Sequence, residues 1–488
     1  MTGPERTQET RLPVLVGLGR SNEHAPVVEL MTQAVRGAAV DAGAPGLATS
    51  IDRMVVPQGS WALVDPARSV SRRLGSAGAH TVLCQIGVSQ QEVINHALAA
   101  VAAGECEVAA VVGGEARAWA RRGGTELDEA HGPPDTILER PPDFVAPVEG
   151  AAGIVWPVVQ QYALIENALG AADGDSQTEH REAIACLWAR FNEVARSFPE
   201  AAFPTPMDAA AIATPGPGNR PLAFPYNRWH ASQWTVDQAS ALLICSAERA
   251  RDAGVPRDRW LFPHVAVHSS QAVTLTARRR LHRWPAMGVL GRAAEQRLGA
   301  PLRELALAEV YSCFPVAVRI QQRELGLSPD ATPTLTGGMA FAGGPFNHYV
   351  LLSTTTLGER LRHAPEQRGL VTTVSGMLSK PGLAVWSASP SEGAPLLADL
   401  ATDAMAATEV QRVVEAAPDR GTAATVASFT VTYGGQDGSD PERTVIVADL
   451  PDGARTAATC EDAQTARLAL DEGLVGRTVE LKDTTFRL

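Results

Sequence analysis

Aromatic side chains are scarce in this sequence, at 5% of 488 residues, while glycine and alanine are plentiful. Small residues suit helices packed closely on sheets, so the composition favours an α/β architecture. The six cysteines (Cys84, Cys106, Cys186, Cys245, Cys313 and Cys460) form no CxxC pair. That spacing argues against a disulfide framework and against a structural metal site. Positive charge is not in excess: the net charge is -12 and the isoelectric point about 5.5. An acidic surface repels phosphate backbones, so nucleic acid is not an expected partner. A local arginine cluster could still hold a small phosphate-bearing ligand. No apolar run reaches the roughly 20 residues that span a bilayer, and no membrane partner is expected. The opening MTGPERTQET is polar, with no apolar core of a signal peptide. The expected location is the reducing cytoplasm.

What is present is a regular alternation. Leu12–Gly19, Ile51–Pro57, Thr81–Ile86 and Glu107–Gly114 read as strands, with a helix over 28–42 and another between the last two. Continuous apolar runs joined by helices imply strands covered on both faces. A stretch from about 117 to 235, rich in Pro, Gly, Asp and Arg, interrupts the rhythm. It holds helical segments near 157–170 and 178–197 and reads as a long excursion capping the first sheet. Strand-like runs then resume at 238–246, 261–268, 305–311, 369–374 and 382–388. Two halves of similar make-up suggest an internal duplication. After about residue 405 the pattern changes to period two: Thr422–Tyr433, then two runs flanking Pro451-Asp452-Gly453, then one or two strands over Gly476–Leu488. This reads as a small β-module of the OB type.

The helix after Thr81–Ile86 carries the most chemistry. Ser89 stands at its N-cap with Glu92 three residues on, the pattern of a capping box, and Gly104 ends it. A buried helix start offers bare N–H groups and the positive end of a dipole, where a thiolate or oxyanion is stabilised.

Val82 to Glu115, with Gly104 and Gly113-Gly114-Glu115, resembles the nucleophile region of thiolases. In that alignment Gly87 takes the place of the family's nucleophilic cysteine, and Cys84 falls inside the strand. Glu309-Val310-Tyr311-Ser312-Cys313-Phe314-Pro315 resembles the loop whose Asn or His holds a water at an oxyanion hole; Tyr311 replaces that residue. Gly337–Pro345 resembles the Gly-His-Pro loop, with Gly344 in place of the catalytic histidine. Thr373–Lys380 resembles the loop of the second cysteine, and no cysteine is present there. The resemblance covers about residues 12–400 and is closest to actinobacterial thiolase-like proteins of type 1, which carry an additional C-terminal domain.

The resemblance implies a duplicated thiolase fold, layered α-β-α-β-α, with an N-terminal half over 1–250 (insertion about 117–235), a C-terminal half over 251–405 and an OB-like β-barrel over 418–488. It also implies an acetyl-CoA acetyltransferase-like protein lacking the catalytic Cys/His set. A glycine can neither take an acyl group nor move a proton. The remaining reading is non-covalent carbon–carbon chemistry, aldol or Claisen type, on an acyl-CoA thioester at an oxyanion hole. Tyr311, Tyr349, His348 and Asn347 are the candidate catalytic side chains, with Gly87, Ser89, Gly344 and Gly376 as loop backbone. Arg72, Arg73 and Arg121 are candidates for the CoA phosphates. The alternative is a non-catalytic acyl-CoA binding or scaffold protein. No covalently bound cofactor is expected, and a homodimer or a partner subunit fits either reading.

Overall fold

The computed structural model describes residues 11–126, 132–141, 145–416, 421–435 and 438–488. The first sheet contains β1 (Pro13–Ser21), β2 (Arg53–Pro57), β3 (His80–Cys84), β4 (Val108–Ala116), β5 (Thr136–Leu138) and β6 (Asp237–Ser246), in the order β1-β6-β4-β2-β3-β5. β2 runs parallel to β3 and β4, and β3 parallel to β5, while β6 is antiparallel to β4 and β1. The second sheet contains β7 (Phe262–His268), β8 (Leu307–Glu309), β9 (Arg368–Ser375), β10 (Lys380–Ser387) and β11 (Leu396–Asp399), in the order β8-β9-β10-β7-β11.

Alternating strand residues divide between two cores, as a sheet covered on both faces requires. Val14, Met54, Val56, Ala110 and Leu243 pack with helix α1 (Val27–Asp41) on the outer face. Leu15, Val55, Val82, Val111 and Leu242 pack on the inner face against helix α2 (Gln90–Ala103). That inner core also takes Ala266, Val371, Ala384 and Trp386 of the second sheet, so the two sheets share one helical layer. Beyond the second sheet, Val265, Val267, Leu383 and Val385 pack with α5 (Pro285–Leu298) and α6 (Pro315–Glu324). The middle layer is completed by α7 (Tyr349–His363), whose Val350, Leu351, Leu357 and Leu361 lie in the same core as α2. The result is a layered mixed α/β fold. Both middle helices begin at the strand ends where the glycine loops lie.

The excursion supplies α3 (Val159–Asp173), α4 (Gln177–Ala195) and the short strand β5. β5 was not expected from the sequence. It pairs with β3 over Val82–Cys84 and covers an edge that would otherwise show free N–H and C=O groups. The C-terminal module contains β12 (Thr422–Gly434), β13 (Asp440–Asp449), β14 (Arg455–Cys460), helix α8 (Ala463–Glu472), β15 (Thr478–Lys482) and β16 (Thr485–Arg487). Pairing runs from β12 to β13 to β14, from β14 to β16 at Thr459 and Thr485, on to β15, and back to β12. Helix α8 was missed in the sequence, although Asp462 caps it and Gly473 ends it. The module is held to the body by Asn167 of α3, which donates to the carbonyls of Phe224 (3.0 Å) and Phe429 (2.8 Å). Among the described residues, no helix is long and apolar enough to cross a membrane.

Candidate active site

Four loops converge where β3, β8 and β9 end. After β3 the chain turns through Gly87, whose φ of +112° lies in the region that favours glycine. A Cβ at this position would sit 3.1 Å from Arg140 Cβ and 4.0 Å from Lys380 Nζ. The Gly87 carbonyl accepts hydrogen bonds from the Lys380 ammonium and from Ser375 Oγ. Lys380 is fully buried, and burial brings its pKa down to about 8 against the opposing pull of Glu92. Burial also raises the Glu92 carboxyl, while Lys380 and the Ser89 N–H hold it down.

The expected capping box forms only in part. Ser89 occupies the N-cap with extended backbone, yet its hydroxyl caps nothing. Its Oγ is buried without a hydrogen-bond partner among the described residues, and only the Glu92 half of the exchange is made. Cys84 is fully buried at the end of β3, where burial pushes its thiol pKa far up. That is the reverse of what a nucleophile needs.

Tyr311 follows β8. Its N–H donates to Thr372 Oγ1 at 2.9 Å and its carbonyl accepts from Gln321 Nε2 at 2.9 Å. Its phenol meets the Gln90 side chain in the first turn of α2, and burial raises its pKa. The ring stands edge-on to Tyr349 with centroids 5.8 Å apart. Tyr311 is therefore beside the start of α2, as expected of a residue lining this site.

The three neighbours at the start of α7 diverge. Tyr349 is fully buried and donates to Glu309 Oε1 at 2.7 Å, with Thr336 Oγ1 at 2.8 Å. Glu309 in turn accepts from the N–H groups of Leu335 (2.6 Å) and Thr336 (3.1 Å), and burial raises its pKa. His348 points to β6, where Nε2 lies 2.8 Å from Ser240 Oγ, and burial lowers its pKa to about 3. It lines a cavity of about 110 Å³ with Arg20, Glu200 and Gln238 rather than the Gly87 side of the loops. Asn347 takes a φ of +50° and donates to the Gln58 carbonyl at 2.6 Å. Gln58 Oε1 accepts from Ile86 N at 3.3 Å, so Asn347 is tied to the Gly87 turn through one residue.

The histidine position is closed. A Cβ on Gly344 would lie 2.9 Å from both Met339 Cβ and Ser232 Cβ. Gly376, at φ +58°, stands in the fourth loop, and its carbonyl accepts from the buried Arg278 guanidinium at 3.4 Å. Burial lowers the Arg278 pKa to about 10, with Glu149 opposing.

The arginines expected at CoA phosphates are spread out. Arg72 and Arg73 end the helix Pro66–Leu74, at the edge of the sheet where β3 starts, whereas Gly87 follows the opposite end of that strand. Arg73 pairs with Glu29 at 2.9 Å. Arg121 is exposed at the end of the helix Arg117–Arg121. Arg117, at its start, lies 3.9 Å over the Trp234 ring, which neighbours Phe346 and Trp156. Lys380 and Arg278 were missed as site residues. The only local signal was a lysine directly ahead of the apolar run of β10. Among the described residues, no three His, Cys, Asp or Glu side chains are grouped to hold a metal.

Comparison with known proteins identifies the fold. No family model matches the chain. A 106-residue stretch is 29% identical to an acetyl-CoA acetyltransferase of Methanocaldococcus jannaschii, covering 22% of this chain and 26% of that relative. The chain thus matches about a quarter of that relative's length. Among solved structures, a monomeric SCP2-thiolase-like protein type 1 from Mycobacterium smegmatis superposes with a TM-score of 0.83 at 28% identity, over 98% of this chain and 99% of the other. An Ltp2–ChsH2(DUF35) aldolase (TM-score 0.57, 18% identity) and human mitochondrial 3-ketoacyl-CoA thiolase (0.57, 16%) each cover 78% of this chain and 99% of their own. The chain has the thiolase fold and is similar along nearly its whole length to an SCP2-thiolase-like protein type 1.

Proposed function

We propose that this protein acts on acyl-CoA thioesters without an acyl-enzyme, in carbon–carbon bond chemistry of aldol or Claisen type. One observation carries the reading. Both positions that align with the thiolase catalytic residues are glycine, Gly344 closed by its neighbours and Gly87 held at a φ that disfavours a side chain, yet hydrogen-bond donors still gather at Gly87. Covalent transfer needs the missing thiolate. Enolate chemistry needs only an oxyanion hole and a group that moves a proton. The N–H groups at the start of α2 and in the Gly376 loop would hold the enolate oxygen, and Tyr311 is placed beside them. Similarity to an acetyl-CoA acetyltransferase supports a thioester substrate, and similarity to an aldolase supports carbon–carbon chemistry. The aldolase is a complex with a DUF35 partner, and we read the C-terminal module here as an OB-like barrel fused to the thiolase fold. Arg117, stacked over the Trp234 ring beside Phe346, and the exposed Arg121 on the same helix would meet the nucleotide end of CoA. A protein of the cytoplasm fits this substrate.

The second reading, acyl-CoA binding without turnover, is favoured by the Tyr349 hydroxyl and His348 Nε2, which are held by Glu309 and Ser240 inside the fold. Acyl-CoAs of graded chain length, measured by calorimetry and followed by product analysis, separate the two. Release of a ketone or aldehyde supports lyase chemistry. Saturable binding with no product supports the binding protein, and absence of binding rejects both. Tyr311→Phe should abolish turnover if the phenol acts; unchanged turnover removes it from the mechanism.

A further inference from the structure

Of the 42 basic residues in the chain only two are lysines, Lys380 and Lys482. Everywhere else a cation is needed the protein uses arginine, which stays charged at any working pH. Lys482 is exposed on β15, whereas Lys380 is fully buried. Its amine sits 4.0 Å from where a side chain at Gly87 would begin, the place of the thiolase nucleophile. Four buried polar atoms on the surrounding elements have no hydrogen-bond partner among the described residues: Ser89 Oγ, Gln91 Oε1, Thr373 Oγ1 and Ser379 Oγ. Such groups are rare in a finished core. Gly87, Ser375 and Gly376 remain partly exposed, so the site is open on the side of these loops.

We propose that Lys380 is the base that takes the α-proton of the bound thioester. The proposal rests on the thioester reading above and names the residue that makes it work. The neutral amine takes the proton as the Cα–H bond breaks and an N–H bond forms. The electron pair of that bond forms the double bond between Cα and the carbonyl carbon, and the carbonyl π pair moves to oxygen, giving an enolate beside the start of α2. The ammonium so formed faces Glu92 and the Gly87 carbonyl, which stabilise it, and it returns the proton in the reverse step. Burial already sets the amine near the working pH, where a base is most effective. Among the described residues, the charged groups near it include Glu92 on α2, Arg140 at the Gly87 turn, and Arg278 on the Gly376 carbonyl. Asp399 acts on Glu92 from β11, with His268 of β7 4.0 Å from its carboxylate.

The test is exchange of the α-hydrogens of acetyl-CoA and butyryl-CoA in deuterated water, read by mass spectrometry, because exchange needs enolisation but no second substrate. Exchange by the wild type should rise with pH through about 8. Lys380→Met should lower it about 100-fold or more while thioester binding stays within about threefold. Glu92→Gln removes the carboxylate that favours the ammonium, so the midpoint should move to lower pH. Exchange in Lys380→Met within threefold of wild type would overturn the assignment while leaving the thioester site standing. Failure of the wild type to bind either thioester would reject the underlying reading and the base with it. Should the lysine variant not fold, trace acetic anhydride labelling of the native wild type decides: Lys380 must react with a midpoint near pH 8. A Lys380 inert at every pH while Lys482 labels would also overturn the proposal.

Discussion

Gly344 offers a direct test of why this chain cannot host a thiolase histidine. In Gly344→Ala the new Cβ meets Met339 Cβ and Ser232 Cβ at 2.9 Å, and Met339 Cε at 3.0 Å. The methyl end of Met339 can swing away, but the two Cβ atoms move only with their backbone. That backbone is clamped: Ser232 N donates to the Cys313 carbonyl at 3.0 Å, Gln233 N to Met339 at 3.0 Å, and Gly344 N to Gln233 at 2.9 Å. Relief requires straining at least one of these bonds, each worth about 1 kcal/mol, on top of an overpacking cost of about 1–3 kcal/mol. Gly344→Ala should therefore lose about 2–4 kcal/mol, and Gly344→His more. Adding Ser232→Gly removes one of the two fixed walls and should recover about half. The assay is urea unfolding followed by tryptophan fluorescence, with m compared between variants to confirm that only stability changed. A Gly344→Ala variant within about 0.5 kcal/mol of wild type would refute the closure argument. So would a Gly87→Cys/Gly344→His double variant that accumulates an acyl adduct on residue 87 when given a thioester.

Tyr349→Phe removes a buried charge-assisted bond to Glu309 and should cost about 1.5–3 kcal/mol in chemical denaturation, without altering thioester affinity of the folded protein; a loss of turnover beyond the unfolded fraction would instead give the phenol a chemical role. Arg319→Met strips Glu166, fully buried, of one cationic partner at 3.1 Å and should destabilise by about 3 kcal/mol or more, measured in the same way. His348 stays neutral in the fold down to about pH 3, whereas the unfolded chain protonates it below about 6.5. Its contribution is thus complete above pH 6.5 and is lost as pH falls toward 3, by about 2 kcal/mol at pH 5. The stability deficit of His348→Gln should shrink by that amount between pH 7.5 and pH 5, and a constant deficit would contradict the assignment. Because β5 covers the edge of β3, the chain should run as a 51.4 kDa monomer in light scattering, and a stable dimer would show another interface at work.

The longer strands of both sheets were legible because apolar runs of strand length alternate with amphipathic helices, and buried strands carry that signal locally; the short edge strand β11 (Leu396–Asp399) was not expected. The glycine loops were legible too, since a left-handed turn such as Gly87 leaves its mark as a residue type. Short elements were not: β5 and α8 owe their form to what they pair with or pack on. The direction of a polar side chain was equally hidden. Asn347, His348 and Tyr349 are consecutive, and the turn into α7 sends them to Gln58, Ser240 and Glu309 in three directions.

Sequence alone determined that thiol and imidazole chemistry is missing at Gly87 and Gly344, because a residue without a side chain has the same deficiency in any surroundings. Only the tertiary structure decided what fills those places. Lys380 reaches Gly87 from 293 positions away, and Met339 and Ser232 close on Gly344 from separate loops. Burial, proximity and a shifted proton affinity arise from contacts between segments distant along the chain, and no local pattern of residues encodes them.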